Sequence, residues 1–209
     1  MAEAAWLELP YPEAGVVERD TLDEQSTALA ADLPERPLVL GGCCCTHVGA
    51  VRGLAARGGR LAVVWLDAHG DLNTPETSPT GNEWGMPLRM LIDEGVVATS
   101  AVALVGARNL DPPEVEFVAE AGIHAGAGAV ENALAGASAV YVALDCDVID
   151  PVEIACFMPE PGGPAVAEVE ELLRMVVRRV PLAGAGLTGL RADPANVSVL
   201  VRLLAALGL

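Results

Sequence analysis

The sequence predicts an α/β protein in which a mainly parallel β-sheet lies between two layers of helices. The first observation is that short apolar runs alternate with longer amphipathic runs from about residue 36 to the end of the chain. The second is that the apolar runs have the length and composition of buried strands. The third is the chain length of 209 residues, which is enough for one sizeable core. We therefore expect a three-layer α/β/α sandwich, formed by a single domain over residues 1–209.

The predicted strands are apolar runs bounded by glycine, proline or polar residues. In chain order they are PLVLGG (37–42), RLAVVWLDAH (60–69), AVALVGARN (101–109), a short strand near Ile123 and AVYVALDCDV (139–148), and GAGLTGLRA (184–192) continues the alternation. The first 35 residues carry a weaker pattern, from which we expect a strand near Trp6–Leu9. Ligands of such sheets bind beyond the carboxyl ends of the strands, so the polar residues that follow each run matter most.

The predicted helices are the amphipathic runs between these strands. In chain order they lie near 21–33, at 46–58, at 84–95, at 112–122, near 129–136, at 165–180 and at 195–209. The helix at 112–122 has proline in its opening turn, where proline is favoured. The helix at 165–180 carries acids early and arginines late, an order that the helix dipole favours.

The charge of the chain excludes several classes of function. The formal net charge is −17, with twelve basic residues, all of them arginine. A surface of this sign repels a phosphate backbone, so we expect no nucleic-acid partner. Without lysine the chain can form neither a P-loop nucleotide site nor a Schiff base.

The cysteines and the apolar runs bear on the cellular compartment. The five cysteines are odd in number and three are consecutive, a spacing that does not indicate a disulfide framework. The sequence shows neither a basic, apolar leader nor a run of eighteen apolar residues. We therefore expect a cytoplasmic protein that does not contact a membrane.

Two acidic motifs follow the long apolar strands. The first, DAHGD, places Asp67, His69 and Asp71 at alternate positions, and the second, DCD, places Asp145 and Asp147 at the same spacing. If the extended conformation persisted, each set would share one side of its strand. Four carboxylates and an imidazole would repel one another strongly without cations between them. This donor set suits Mn²⁺ or a similar divalent ion.

Acidic residues also follow strands simply as turn formers and helix N-caps, so a lone D-x-D motif is weak evidence. The presence of both motifs, each directly after a long apolar strand, favours a metal site over a structural role. Two metals that share bridging carboxylates would acidify a bound water into a hydroxide nucleophile.

Four motifs together resemble the arginase–agmatinase (ureohydrolase) family. They are GGCCCTHVG, DAHGDLNTPETSPTGNEWG, LDCDVIDP and GLTGLRADP, in the family's order, and they span roughly residue 38 to the C terminus. The second motif resembles the arginase branch most specifically. The resemblance implies an α/β sandwich with two Mn²⁺ ions, whose bridging hydroxide hydrolyses a guanidinium or related amidine.

The resemblance also implies roles for individual residues. It makes Asp67, His69, Asp71, Asp145 and Asp147 metal ligands, with Asp67 and Asp145 at the positions that bridge both ions. Further along the second motif, Asn73, Thr80 and Asn82 match positions that hold the amino-acid end of the substrate in arginases.

The first departure from the family pattern is Cys44, which stands where the family has a sixth ligand, a histidine in a G-G-D-H sequence. A thiolate here would favour a softer ion such as Zn²⁺ over Mn²⁺. Cys44 is alternatively a small buried filler. His47, three residues later, reaches inward only if the turn differs, and core or surface histidines are commoner.

The second departure is Trp84, at the position of the histidine that shuttles protons in arginases. Indole cannot transfer a proton near neutral pH. Trp84 is then a pocket wall or ordinary core, and the adjacent Glu83 is the obvious local acid that could replace the histidine, or else an exposed acid at a helix start.

The third departure is Arg191, which stands where the family has the glutamate that holds the guanidinium. Its charge opposes a cationic substrate and suits a carboxylate, amide or ureido group. Arg191 alternatively pairs with Glu76, Glu83 or Asp150 and neutralises an acidic pocket.

These observations predict a metal-dependent hydrolase that acts on a linear C–N bond of a small guanidino, amidine, ureido or amide substrate, with atypical specificity. In this hypothesis Asp71 accepts a hydrogen bond from the nucleophile, Glu83 carries protons and Arg191 orients the substrate. Two alternatives stay open: a non-catalytic scaffold or regulatory subunit, and a deacetylase-like hydrolase with a single Zn²⁺. A homo-oligomer is possible, although the chain is shorter than typical family members.

Overall fold

The computed structural model describes residues 7–209, which contain one six-stranded parallel sheet with helices on both faces. The strands are β1 (Leu38–Leu40), β2 (Leu61–Leu66), β3 (Val102–Val105), β4 (His124–Ala125), β5 (Ala139–Asp145) and β6 (Leu182–Thr188). Their order across the sheet is β1-β6-β5-β2-β3-β4. The predicted α/β fold with a mainly parallel sheet is confirmed.

The helices divide between the two faces of the sheet. They are α1 (Leu22–Ala31), α2 (Thr46–Ala55), α3 (Pro87–Asp93), α4 (Pro112–Ala121), α5 (Val130–Leu134), α6 (Val166–Arg179) and α7 (Ala195–Ala206). Side chains of α1 to α4 pack on one face, and side chains of α5 to α7 pack on the other.

Strand β2 illustrates how the sequence produces these two cores. Ala62, Val64 and Leu66 contribute to the core under α5, α6 and α7, whereas Val63 and Trp65 contribute to the core under α2 and α3. Successive strand residues point to opposite faces, so a strand covered by helices on both sides needs an unbroken apolar run. The run LAVVWL meets that requirement.

Two predicted elements differ from the structure. Residues 7–9 form no strand, and Trp6 lies outside the described residues. The helix expected at 84–95 is divided into a short 3₁₀ turn at Glu83–Gly85 and α3. Proline at the first position of α3 explains the break, because its ring cannot follow a helical residue without a clash.

The carboxyl ends of β1, β6, β5 and β2 lie next to one another at the same edge of the sheet. This edge receives Asp145, the last residue of β5, and the residues that follow the other strands, including Cys44 and Asp67. Within residues 7–209, no helix has the length and apolar character needed to cross a bilayer.

Candidate metal centre

The segment after β2 leaves the extended conformation at once. The Asp67 carboxylate accepts a hydrogen bond from the backbone N–H of His69 at 2.8 Å, which closes a tight turn. Asp71 has a φ of 53°, in the left-handed region that non-glycine residues rarely adopt. Persistent strand geometry therefore does not bring these side chains together, and the expectation of simple alternation is wrong. The turn instead places Asp67 near His69 in one group of possible metal ligands and near Asp71 in another.

The segment after β5 is built in the same way. Asp145 accepts a hydrogen bond from the backbone N–H of Asp147 at 3.1 Å and opens the 3₁₀ turn Cys146–Val148. Asp147 in turn accepts a hydrogen bond from the backbone N–H of Ala68 at 3.0 Å. This contact joins the two acidic loops directly.

One cluster of possible metal ligands comprises Asp67, His69 and Asp147, whose ligand atoms lie within 4.8 Å of one another. His69 Nδ1 is 3.3 Å from Asp67 Oδ1 and 3.1 Å from Asp147 Oδ2. Both carboxylates are buried. An imidazole nitrogen and two carboxylate oxygens can therefore face a single ion.

A second cluster comprises Cys44, Asp67 and Asp71, again with ligand atoms within 4.8 Å. Cys44 Sγ lies 3.2 Å from Asp67 Oδ2 and 3.1 Å from Asp145 Oδ2. All four residues are buried. Asp67 belongs to both clusters, so the two candidate sites share one carboxylate.

A buried network of side-chain hydrogen bonds lies next to the second cluster. Thr188 at the end of β6 donates to Asp145 Oδ2 at 2.8 Å and lies 3.3 Å from Cys44 Sγ. Its hydroxyl is also 3.4 Å from Nε2 of His47, whose Nδ1 is 2.9 Å from the Tyr141 hydroxyl. His47 is thus a buried core residue with two polar partners, and the shorter side chain of Cys44 faces the carboxylates.

Residue 189, next to this hydrogen-bond network, must be glycine. Gly189 has a φ of +68°, and a Cβ there would collide with Oδ1 of Asp145. The backbone directly after β6 can therefore approach Asp145 only because residue 189 has no side chain.

The electrostatics of the cluster show a strong excess of buried negative charge. Burial, followed by the charge of Asp147, raises the pKa of Asp145 to about 6. Burial and the charges of Asp67 and Asp145 raise the pKa of Asp71 well above its usual value. The hydrogen bonds that His69 donates to Asp147 and then to Asp67 raise the pKa of His69 to about 11. Each shift favours a proton at a position where a cation would also relieve the repulsion.

The residues present fit a divalent metal. Within residues 7–209, Oδ2 of Asp71 is buried without a hydrogen-bond partner, which is costly for a carboxylate unless a cation or proton satisfies it. The two clusters supply carboxylate oxygens, one imidazole and one thiol, all groups that bind divalent ions. The donor set by itself does not select one metal.

Glu160 is a residue that the sequence reasoning missed. Its Oε1 lies 3.7 Å from Nε2 of His69 and accepts a hydrogen bond from Nδ2 of Asn109 at 2.8 Å. Glu160 lies in the loop between β5 and α6, within PEPGG. Neither apolar periodicity nor alternating acids mark this loop, so its link to His69 has no signal in the sequence.

Arg108 holds the same loop in place and was also missed. Its guanidinium donates to backbone carbonyl oxygens of Asp147 at 2.8 Å and Glu160 at 2.7 Å. It also donates to the carbonyls of Pro161 at 3.0 Å, Gly106 at 2.9 Å and Val148 at 3.2 Å. One side chain therefore fixes the backbone of two residues that flank His69.

The residues expected to hold an amino-acid substrate occupy different environments. Asn73 is buried: its Nδ2 donates to Asp111 at 2.9 Å, and its Oδ1 accepts from Thr77 at 2.9 Å. Thr80 and Asn82 are exposed, with Thr80 Oγ1 accepting from the backbone N–H of Asn82 at 3.2 Å. Asn73 thus has a structural role, whether or not it also contacts substrate.

Glu83, Trp84 and Arg191 are all exposed. Glu83 and Trp84 form the short turn before α3, and the thiol of Cys45 donates to the carbonyl oxygen of Glu83 at 3.6 Å. Arg191 lies three residues beyond the end of β6 and lines a cavity of about 360 Å³ with Ala155 and the residues up to Pro194.

The family model described as "Arginase family" matches residues 10–193. The chain belongs to the arginase family. The match extends over most of the chain and contains the four motifs that resemble the family, apart from Pro194 at the end of the last one.

Individual arginase-family relatives match over different extents. The arginase of Staphylococcus aureus (strain COL) is 36% identical over 142 residues, which cover 56% of this chain and 47% of the relative. The crystal structure of arginase from Bacillus subtilis has a TM-score of 0.82 at 27% identity, covering 93% of this chain and 82% of that one. The chain spans about half the length of the first curated relatives it matches.

A third relative carries a different name within the arginase family. Proclavaminate amidino hydrolase from Streptomyces clavuligerus has a TM-score of 0.74 at 27% identity, covering 88% of this chain and 67% of that one. Relatives named for different substrates therefore share this fold.

Proposed function

We propose that this chain is a metal-dependent hydrolase that acts on a linear C–N bond of a small guanidino, amidine, ureido or amide substrate. The observation that carries the proposal is the pair of ligand clusters that share Asp67, one with His69 and Asp147 and the other with Cys44 and Asp71. A carboxylate shared between two sites is what a dinuclear centre requires. Metal ions held there would acidify a water molecule and so supply the nucleophile.

The residues around this centre take distinct roles in the proposal. Asp71 accepts a hydrogen bond from the nucleophilic water through Oδ2, which has no hydrogen-bond partner among the residues that the structure describes. Glu83, which is exposed, exchanges protons with the leaving group in place of the indole of the adjacent Trp84. Arg191 orients a neutral or anionic group of the substrate through its planar guanidinium.

The two clusters differ in donor chemistry, and this difference bears on the metal. The His69 cluster offers nitrogen and oxygen, which suit Mn²⁺, whereas the Cys44 cluster adds sulfur, which suits Zn²⁺. The proposed cofactor is therefore a pair of divalent ions, Mn²⁺ or Zn²⁺, in which Cys44 favours the softer ion at its own site.

The decisive experiment is elemental analysis of the purified chain after loading with Mn²⁺, Zn²⁺ or both. Two equivalents of metal per chain support the dinuclear hydrolase, and one supports a deacetylase-like mononuclear centre. Asp67→Asn should lose metal from both clusters, whereas Asp32→Asn, an exposed control, should keep it. A wild-type chain that binds no metal would refute the hydrolase and leave a scaffold or regulatory role.

A positive metal result must be followed by a turnover assay. The loaded chain is incubated with guanidino, amidine, ureido and simple amide compounds, and released urea or ammonia is measured against Asp67→Asn. Metal binding without turnover of any compound would contradict the catalytic part of the proposal. The proposed metal centre would still stand.

A further inference from the structure

An aromatic pair lies exposed on this protein. Trp84 and Phe157 are 50% and 49% exposed, and their rings meet edge to face with centroids 6.0 Å apart. The chain has only three tryptophans, two tyrosines and two phenylalanines. Two of these few aromatic side chains are therefore not buried in the core. Exposed apolar patches commonly mark binding sites.

Both rings are joined to the metal centre by short connections. Trp84 follows Glu83, whose carbonyl oxygen accepts from the thiol of Cys45, the neighbour of Cys44, at 3.6 Å. Phe157 donates its backbone N–H to the carbonyl of Gly189 at 2.6 Å, at the position where a side chain would strike Asp145. The backbone that carries each ring is thus hydrogen-bonded to a segment adjacent to Cys44 or Asp145, and we call the exposed surface formed by Glu83, Trp84, Phe157 and Met158 the rim.

Strained backbone occurs both at the candidate metal centre and beside the aromatic pair. Within residues 7–209, the non-glycine residues with positive φ are Asp71, at 53°, and Met158, at 55°. Met158 directly follows Phe157 and is 50% exposed. Strained conformations of this kind cluster at functional sites, because the surrounding structure must hold them there. One lies at the candidate centre and the other beside the aromatic pair.

The charges near the rim restrict what can bind. Glu83 is next to Trp84 in the chain, and Glu160 is the closest charged neighbour of His69 on its outer side. Together with the net charge of −17, they oppose an anionic ligand over the rings. Asn73 is already bonded to Asp111 and Thr77 through both ends of its amide. An uncharged, planar, apolar group fits this rim better than the charged end of an amino acid.

We propose that Trp84 and Phe157 form a specificity subsite that binds an aromatic or other planar apolar group of an uncharged amide-like substrate. The subsite rests on the proposed function, since it needs a metal centre to hold the reacting end of the same molecule. The rings contribute by stacking on the apolar group and excluding water from it.

The test compares two hydroxamates, which chelate metal through the same group and differ in the apolar part. Benzohydroxamate carries a phenyl ring and acetohydroxamate a methyl group. Binding to the metal-loaded chain is measured by calorimetry, with metal content determined on the same samples. We expect the phenyl compound to bind at least about tenfold more tightly in the wild type, because the ring buries apolar area on the subsite.

The variants separate the subsite from the metal centre. In Trp84→Ala and Phe157→Ala the preference for the phenyl compound should fall to about threefold or less, while acetohydroxamate affinity and metal content stay unchanged. Val152→Ala is the control, because Val152 is an apolar residue of the same loop that is 91% exposed. It should keep the wild-type preference.

Three outcomes would overturn the inference. Equal affinity for the two hydroxamates with metal bound would reject the subsite and leave the proposed function intact. Absence of metal and of all hydroxamate binding would reject the proposed function and the subsite with it. A wild-type dimer that becomes a monomer in the double variant Trp84→Ala with Phe157→Ala would assign the pair to self-association.

Discussion

The candidate metal centre contains a sulfur atom, Sγ of Cys44, in addition to nitrogen and oxygen atoms. Cys44 Sγ lies within 3.2 Å of carboxylate oxygens of both Asp67 and Asp145. Burial and these negative charges raise the pKa of the thiol, so without a cation it stays protonated and donates to them. A divalent ion reverses that preference, because metals bind the thiolate.

Replacement of Cys44 should therefore change which metal binds. Cys44→His should keep or raise Mn²⁺ affinity and lower the preference for Zn²⁺, because imidazole replaces a softer donor. Cys44→Ala should lower total metal content. The measurement is elemental analysis after loading with an equimolar Mn²⁺ and Zn²⁺ mixture, with Cys146→Ala as the buried-cysteine control. Unchanged metal content in Cys44→Ala would make Cys44 a packing residue.

We expect Glu160 to act on the candidate metal centre through His69. Oε1 of Glu160 lies 3.7 Å from Nε2 of His69, which has no hydrogen-bond partner within residues 7–209, while Nδ1 faces Asp67 and Asp147. A carboxylate on the outer side of a ligating histidine keeps the proton on that side and leaves the inner nitrogen free for metal.

Loss of the Glu160 charge should weaken metal binding without removing a ligand. Glu160→Gln should lower affinity about tenfold, at the lower end of the usual range for such partners because the distance is long. The measurement is competition with a chelating dye, and Glu120→Gln on the exposed side of α4 is the matched control. Equal affinities in the two variants would remove Glu160 from the centre.

His47 makes the stability of the fold depend on pH. Burial lowers the pKa of His47 to about 3, against a reference value of 6.5. As the pH falls below that reference value, the unfolded chain takes up a proton here that the folded chain excludes. The stability that this histidine contributes is therefore present above about pH 6.5 and decreases as the pH falls toward 3.

The effect can be isolated by denaturation at two pH values. Between pH 7.5 and pH 5, proton uptake at His47 should cost the wild type about 2 kcal/mol of unfolding free energy. In His47→Asn this part of the loss should disappear, although the variant is less stable at both values. Urea denaturation measures both chains, and the titration of the shared carboxylates cancels in the comparison. Identical pH dependence in the two chains would contradict the prediction.

At the scale of elements, the loop between β5 and α6 depends on one guanidinium. Arg108 donates to five backbone carbonyl oxygens, among them those of Asp147 and Glu160. The loop carries Asp147, a possible metal ligand, near its start, and Glu160, which lies 3.7 Å from His69, further on. Its order is therefore set by a side chain on another segment, after β3.

Arg108→Lys should disorder this loop, because lysine keeps the charge but cannot contact five carbonyls at once. We expect a loss of about 2 kcal/mol in unfolding free energy, together with weaker metal binding. Arg57→Lys is the control, since Arg57 donates to carbonyls of Leu33, Pro34 and Glu35 away from the centre. Urea denaturation and metal titration are measured on both variants. Weaker metal binding in Arg57→Lys as well would mean that the effect is not specific to the loop.

At the scale of the whole molecule, the altered rim predicts weak activity on ordinary arginase substrates. Urea release from L-arginine or agmatine needs a bound guanidinium and a proton for the leaving amine. Arg191 opposes the first requirement by its charge, and Trp84 cannot supply the second. Loss of a general acid alone costs about 10² to 10⁴ in rate.

The double variant Trp84→His with Arg191→Glu should recover more urea production than either single change, because binding and proton transfer are both required. The assay supplies Mn²⁺ with L-arginine or agmatine and measures urea. Robust turnover by the unmodified chain would show that our assignment of Arg191 to the guanidinium position is wrong.

The sequence alone predicts most of the fold, because apolar periodicity reports burial directly. The run LAVVWL between two amphipathic segments predicts a strand covered on both faces, and the structure has it as β2, between β5 and β3 in the sheet. The acids at the ends of β2 and β5 are equally visible, since parallel strands bring their carboxyl ends to one edge.

The tertiary structure alone determines how the side chains at that edge meet. The left-handed turn at Asp71 and the hydrogen bond that joins Asp147 to Ala68 replace the simple alternation that the spacing predicts. Glu160 and Arg108 reach the centre from segments with no periodic signal, and Phe157 meets Trp84 across some seventy residues of chain. Local patterns record which face of an element is buried, whereas contacts between distant loops depend on turns whose geometry the folded molecule sets.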